Sequence, residues 1–327
     1  MADELGRMGE AGVGLGERDL HFGLGFLRAV VAHGGTPIVC ANLVAKPTGA
    51  PVFAPYRIVH AGGVTVGVFG LLAPHADLGP SRDSLAVLDP VATAAKVLGE
   101  LKAKGATVIV LLSSLGKVDS EDLVVALEGI DLVIPSRDIP LVQAARRVRG
   151  TLFLYGGEQG HYIGVSDLTV GANGRVAGGD GAMFMLGPDV PENATVLARV
   201  TAFEDQFNEH ERRRQKERAD AVAAATGDNE PPPSHYVGAE VCGRCHAKEY
   251  AQWRTTAHAH AWQTLVDQRK DATPECVVCH VVGYRKSGGF ETGADAARLG
   301  NVQCENCHGM GTEHESWPAT HGHVPEA

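Results

Sequence analysis

"NVQCENCHGMGTEHE", Asn301 to Glu315, holds Cys304 and Cys307 with two residues between them, His308 directly after the second cysteine, and His314 further on. The same pattern occurs as "CGRCH" at Cys242–His246 and as "CVVCH" at Cys276–His280. Six of the seven cysteines lie in these three copies, and nine of the fifteen histidines lie from His235 onward. One copy would be a weak signal. Three copies in so short a stretch concentrate the chemistry of the chain in its last third.

Cys-x-x-Cys-His is the attachment pattern of c-type haem. Cys242/Cys245, Cys276/Cys279 and Cys304/Cys307 would form thioethers to three porphyrins, with His246, His280 and His308 as proximal iron ligands. A zinc ribbon needs four ligands and no histidine at a fixed place after each pair, and three pairs would leave one unmatched. A redox dithiol needs one pair near a βαβ unit. Residues 235–327 are also poor in large aliphatic side chains, so three porphyrins would supply apolar surface that the chain lacks. Met310 lies two residues past His308, too close to reach the opposite face of the same haem. Histidine is therefore the expected distal ligand, drawn from His235, His258, His260, His314, His321 and His323, and paired-histidine ligation gives low potentials. Twelve residues separate His246 from His258, about three helical turns, which carries His258 away from its own haem.

Working outward, residues 1–190 alternate strand and helix patterns. "FGLGFLRAVVAHGG" reads as a helix closed by glycines and "TPIVCANL" as a strand holding Cys40 as a small buried hydrophobe. "RIVHAGGVTVGVFGLL" reads as two strands about a Gly-Gly turn. "DPVATAAKVLGELKAKG" is a helix capped by Asp89 and ended by Gly105. "TVIVLLSS" is a continuous apolar run, as in a strand buried on both faces. "DSEDLVVALEG" reads as a helix, "DLVIPS" and "TLFLYGG" as strands, and "IGVSDLTVGANGRVAGG" as a hairpin about Asn-Gly. The class is α/β with a partly parallel sheet, followed by a small, mainly α, haem-packed domain. The expected division is 1–190, a charged helix and Pro-rich linker over 191–234, and 235–327. The Arg212-Arg213-Arg214 run reads as a solvated helix face.

The formal net charge of −10 argues against a nucleic-acid partner and suits a basic protein partner. No apolar run reaches the 18 or more residues of a membrane span. The start "MADELGRMGE" is not a secretory signal.

The stretch from Tyr236 to His314 resembles the cytochrome c-554 family of tetrahaem electron carriers. The resemblance is carried by Trp253, Thr256-Ala-His-Ala259, the Cys-His-Val-x-Gly-aromatic after the second motif, and Val302-x-Cys-Glu-x-Cys-His-Gly309. It implies that His258 ligates the haem on His308 and that His314 ligates the haem on His246. The haem on His280 would be open, unless His260 or His235 caps it. A fourth motif expected in the family does not follow, which implies a longer native chain, as does attachment of haem outside the cytoplasmic membrane without a signal here. The implied setting is periplasmic or extracellular, with basic proteins or other multihaem cytochromes as partners and a homo-oligomer or filament as a possible assembly.

Residues 10–190 resemble a calcineurin-like metallophosphatase of the 5′-nucleotidase type. "GERDLHFG" stands at its Asn-His segment, "TPIVCANL" at its "ANL" strand, "VIVLLSSLG" at its Leu-Ser-His and "IDLVIPSRDI" at its Gly-His-x-His. That family's dinuclear metal ligands are replaced here by Glu17, Arg18, Ser114, Ser136, Arg137, Asp138 and Ile139, and Asp19 alone remains a plausible ligand. The expectation is a multihaem electron carrier with a degenerate phosphatase scaffold. The alternatives are reduction of a small nitrogen oxide at an open haem on His280, and a metallophosphatase with accessory haems.

Overall fold

The computed structural model describes residues 2–137, 145–156, 160–172, 174–226 and 234–321. The chain divides into two compact units, Met1–Val190 and Pro191–Ala327.

The first unit is built around the apolar run Val108–Ser114, which lies inside a six-stranded sheet. It pairs in parallel with Val64–Leu72 on one side and Leu132–Pro135 on the other. Thr151–Phe153 extends the parallel part, and Tyr56–Ala61 and Arg146–Val148 close the two edges antiparallel. Val108, Ile109 and Leu111 are buried because both faces of the strand are covered. Gly62 and Gly63 both take left-handed φ, 55° and 81°, as a two-residue hairpin turn requires. The helix Pro90–Ala103 starts where Asp89 Oδ1 accepts from Ala92 N at 2.7 Å. It lays Ala94, Val97, Leu98 and Leu101 onto the sheet. Leu101 fits only because residue 67 is glycine: a Cβ there would sit 2.8 Å from Leu101 Cδ2. Gly35 ends the helix Gly23–Gly34 in the left-handed region, as its sequence predicts. Lys117–Ala126 is helical, and Tyr162–Val170 pairs with Val176–Met185 as the expected hairpin.

"TPIVCANL" is not one strand. Ile38–Val39 and Leu43–Ala45 are separate, and the chain between them is shaped by Asn42. Its fully buried amide accepts from Leu72 N at 2.8 Å and donates to Leu72 O at 2.8 Å and Leu88 O at 3.2 Å. A side chain that bonds backbone of other segments competes with the ladder its own strand would make. The short pair Leu43–Ala45 with Leu85–Val87 and the edge strand Arg146–Val148 had no sequence signature.

The second unit opens with the helix Ala194–Thr226, which packs on the rest of that unit through a polar face. Asn208, Glu211 and Gln215 are buried. Asn208 Nδ2 donates to Arg269 O at 2.7 Å and Gln215 Nε2 to Ala272 O at 3.4 Å. Lys270–Glu204 at 2.5 Å and Arg212–Asp271 at 2.9 Å flank this face. The triple-arginine run is mostly solvated and ion-paired: Arg213 meets Glu209 and Arg214 meets Glu211. Beyond it, short helices surround one small apolar cluster of Tyr236, Leu265, Val277, Val281, Val282, Phe290 and Leu299. The path from His246 to His258 is not a continuous helix. Ala247–Trp253 ends where the hydroxyls of Thr255 and Thr256 donate to Gln252 O and Trp253 O, and a 3₁₀ turn follows at Ala257–His260. Among the described residues, no helix is long and apolar enough to cross a membrane.

Candidate haem-attachment site

The second and third motifs lie within helices, Pro274–His280 and Cys304–His308, while the first starts in the helix Ala239–Gly243 and runs past its end through a turn in which Cys245 N and His246 N both donate to Cys242 O. A spacing of three puts both thiols of a motif on one helix face. The three motifs repeat one geometry. Cys242, Cys276 and Cys304 are half-buried, Cys245, Cys279 and Cys307 are exposed, and none forms a disulfide. Each pair therefore presents an inner and an outer thiol to a common flank.

The third motif is also the hub of the unit. Glu305, between its two cysteines, is buried at 4% exposure. Its Oε1 accepts from Val237 N at 3.0 Å and Gly311 N at 2.7 Å, and its Oε2 from Gly238 N at 2.8 Å. Gln303 Oε1 accepts from Ala239 N at 2.5 Å, while its Nε2 donates to Arg298 O and Gly300 O. Glu305 and Gln303 thereby satisfy the opening N–H groups of the helix that carries the first motif. Glu305 enters the sequence reading only as one residue of the Val-x-Cys-Glu-x-Cys-His-Gly resemblance and Gln303 not at all, and neither is given a structural role there. The result is that Cys242 and Cys304, from different motifs, lie side by side. Burial, then Cys304 and Glu305, push the Cys242 thiol up to about 11.

The histidines are placed as follows. The rings of His246 and His314 lie close together, with centres 6.1 Å apart and planes at 26°. The segment bearing His314 is also tied to the first motif by Arg244–Glu315 at 4.0 Å. Two metal–imidazole bonds of about 2 Å, plus the reach from each nitrogen to its ring centre, span about 6 Å, so the separation of the ring centres equals that of two imidazoles sharing one iron, provided each ring turns a nitrogen inward. His280 Nδ1 meets Ala261 O at 2.6 Å. A carbonyl can only accept, so Nδ1 carries the proton and Nε2 keeps its lone pair for a metal. His258 is anchored beside the third motif: Val302 N donates to His258 O at 3.1 Å, and Trp253 Nε1 donates to Val302 O at 2.8 Å. His260 ends the same turn and is exposed, next to the Ala261 that meets His280. His235 is bonded through its backbone to the Thr312 hydroxyl. Met310 Sδ accepts from Ser234 Oγ at 3.4 Å. His323 lies outside the described residues. These donors fit a c-type haem at each motif. Among the described residues, no three His, Cys, Asp or Glu side chains converge as a metal-only site.

In the first unit the positions aligned with metallophosphatase ligands do come together at the ends of the central strands, but they bind one another. Ser114 Oγ donates to Leu15 O at 2.8 Å and lies 3.1 Å from Ser136 Oγ. Arg137 pairs with Glu17 at 3.7 Å. Asp19 Oδ2 accepts from Gly16 N at 2.8 Å, which turns the last plausible ligand into a local cap. Asp138 and Ile139 lie outside the described residues.

Residues 241–309 match the cytochrome c554 and c-prime family. This is a cytochrome c554-type segment. Cytochrome c-554 of Nitrosomonas europaea is 33% identical over 110 residues, covering 28% of this chain and 47% of that protein. The chain joins the cytochrome c554-type segment to an α/β unit of metallophosphatase type. An uncharacterised metallophosphoesterase, YunD of Bacillus subtilis, is 29% identical over 208 residues, covering 62% of this chain and 43% of the relative. The 5′-nucleotidase precursor from Thermus thermophilus superposes with a TM-score of 0.56 at 26% identity, covering 63% of this chain and 45% of that one. The chain thus spans less than half the length of each of these relatives.

Proposed function

We propose that this chain is an electron carrier of the periplasm or extracellular space, a multihaem c-type cytochrome with three covalent haems, two of them held between paired histidines. The family match supports covalent haem c and an electron-transfer role. The observation that carries the finer reading is the closeness of His246 and His314, whose ring centres are 6.1 Å apart. Haem c, when bound, supplies reversible one-electron transfer at iron. The chain's part is to hold each iron from two segments and so limit reorganisation. His246 belongs to the first motif and His314 lies beyond the third, and Glu305 ties the chain ahead of each by binding Val237, Gly238 and Gly311. His258, anchored at Val302 two residues before Cys304, is the partner for His308. In the holoprotein, His314→Ala should leave the haem count unchanged and convert one iron from low-spin to high-spin. An unchanged low-spin spectrum would refute the pairing.

A second reading, reduction of a small nitrogen oxide, is favoured by one observation. His260 adjoins Ala261, whose carbonyl accepts from His280 Nδ1, so its backbone lies on the side of the His280 ring away from Nε2, and a haem held by that Nε2 would then lack His260 as its second ligand. An exogenous ligand such as carbon monoxide should then bind one ferrous iron of the parent protein. The phosphatase alternative draws no support from Glu17–Arg137 and Ser114–Ser136, which occupy one another. The first unit is a scaffold. The formal charge of −10 suits basic redox partners.

A further inference from the structure

One backbone carbonyl of the second unit serves more than its own helix. Ala261 is buried at the start of the helix Ala261–Asp267. Its oxygen accepts from His280 Nδ1 at 2.6 Å and from the Thr264 hydroxyl at 2.7 Å, three residues along the same helix. The two donors draw on the electron density of one oxygen, so each bond is weaker than it would be alone. The Thr264 hydroxyl therefore competes with the ring of the second motif's histidine.

The direction of that carbonyl is set from far along the chain. His260, which precedes the helix, gives it no side-chain cap. Asn301 Oδ1 instead accepts from Trp262 N at 2.9 Å. Trp262 N and the Ala261 carbonyl belong to one planar peptide unit. Asn301 thus grips the N–H end of the same plane whose C=O end meets His280. Bonding at the N–H end also makes the carbonyl oxygen more negative and strengthens what it accepts. The grip is well founded. The Trp262 ring packs on Phe290, with centres 5.2 Å apart, and Val302, next to Asn301, takes its own N–H to His258 O at 3.1 Å. Asn301 itself sits at φ 76°, in the left-handed region that asparagine and glycine tolerate best.

We infer that Asn301 and Thr264 are positioning residues that set, with opposite signs, the donor strength of His280 towards the iron of the second motif. This rests on the haem reading of that motif. A stronger bond from Nδ1–H makes the imidazole a more basic ligand, which favours ferric iron and lowers the midpoint. Asn301 strengthens that bond by fixing and polarising the peptide, and Thr264 weakens it by sharing the oxygen. The test is a spectroelectrochemical titration of the holoprotein, with haem mass measured on each sample. The parent and every variant should carry three haems. Thr264→Val removes the competing hydroxyl at nearly constant shape and should lower one of the three midpoints. Thr264→Ser keeps the hydroxyl and should leave all three in place. Asn301→Gly keeps the left-handed backbone, loses the acceptor, and should raise the midpoint that Thr264→Val lowers. Residues that only held the fold together would not move one midpoint in opposite directions. With three haems bound, unmoved midpoints in Thr264→Val or Asn301→Gly, or shifts of one sign in both, overturn the inference and leave the haem reading standing. If Asn301→Gly fails to fold, Asn301→Asp replaces it: its carboxylate polarises the peptide further and should lower that midpoint, and an unmoved or raised one overturns the inference. A parent protein without haem mass would sink the haem reading, and this inference with it.

Discussion

Replacing Glu305 tests how the second unit is held together. Its carboxylate is 4% exposed and takes three backbone N–H groups from two distant segments, Val237 and Gly238 on one side and Gly311 on the other. A buried donor left without a partner costs about 1–3 kcal/mol. Glu305→Ala orphans one buried donor, Gly238 N, and two part-buried ones, Val237 N and Gly311 N, so the loss should be about 3–6 kcal/mol, the lower end applying where water reaches the part-buried pair. Glu305→Gln keeps one oxygen for Val237 N and Gly311 N but turns an amide N–H₂ towards Gly238 N–H, which should cost about 2–3 kcal/mol. Glu305→Asp shortens the reach by one methylene and cannot span both segments, so it should resemble Ala more than Gln. The assay is guanidinium unfolding of the holoprotein followed by the porphyrin absorbance, which reports the second unit. A Glu305→Ala protein within about 1 kcal/mol of the parent would refute the hub role, because even one orphaned donor should exceed that.

Asn42→Ala removes a fully buried amide that serves Leu72 N, Leu72 O and Leu88 O, and should destabilise the first unit by about 3 kcal/mol; urea unfolding followed by Cys40 thiol reactivity reports that unit, and a loss under about 1 kcal/mol would contradict the clamp. Burial raises the Cys40 thiol from 9.0 to about 11. The folded state thus binds the proton more tightly than the unfolded one, so this contribution is intact below pH 9 and about 2 kcal/mol is lost by pH 11. Cys40→Ala should flatten that slope, and an unchanged alkaline slope would refute it.

The candidate site was legible so far as its pattern is local in the chain. Cys-x-x-Cys-His must place two thiols on one face and an imidazole beside them, so sequence neighbours are spatial neighbours at all three motifs. Val108–Ser114 was legible for the same local reason, since a strand covered on both faces has no polar alternation. The break at Cys40–Asn42 was not, because its cause lies thirty residues away at Leu72. The roles of Glu305 and Gln303 were missed because their partners are backbone N–H groups, which carry no residue identity to read.

The most direct test of the central claim is the intact mass of the denatured protein, purified from a host that matures c-type cytochromes. The account predicts a mass above that of the polypeptide by three haems, with peptides bearing Cys242/Cys245, Cys276/Cys279 and Cys304/Cys307 each carrying one. A polypeptide without haem mass, or zinc released in its place, would contradict it.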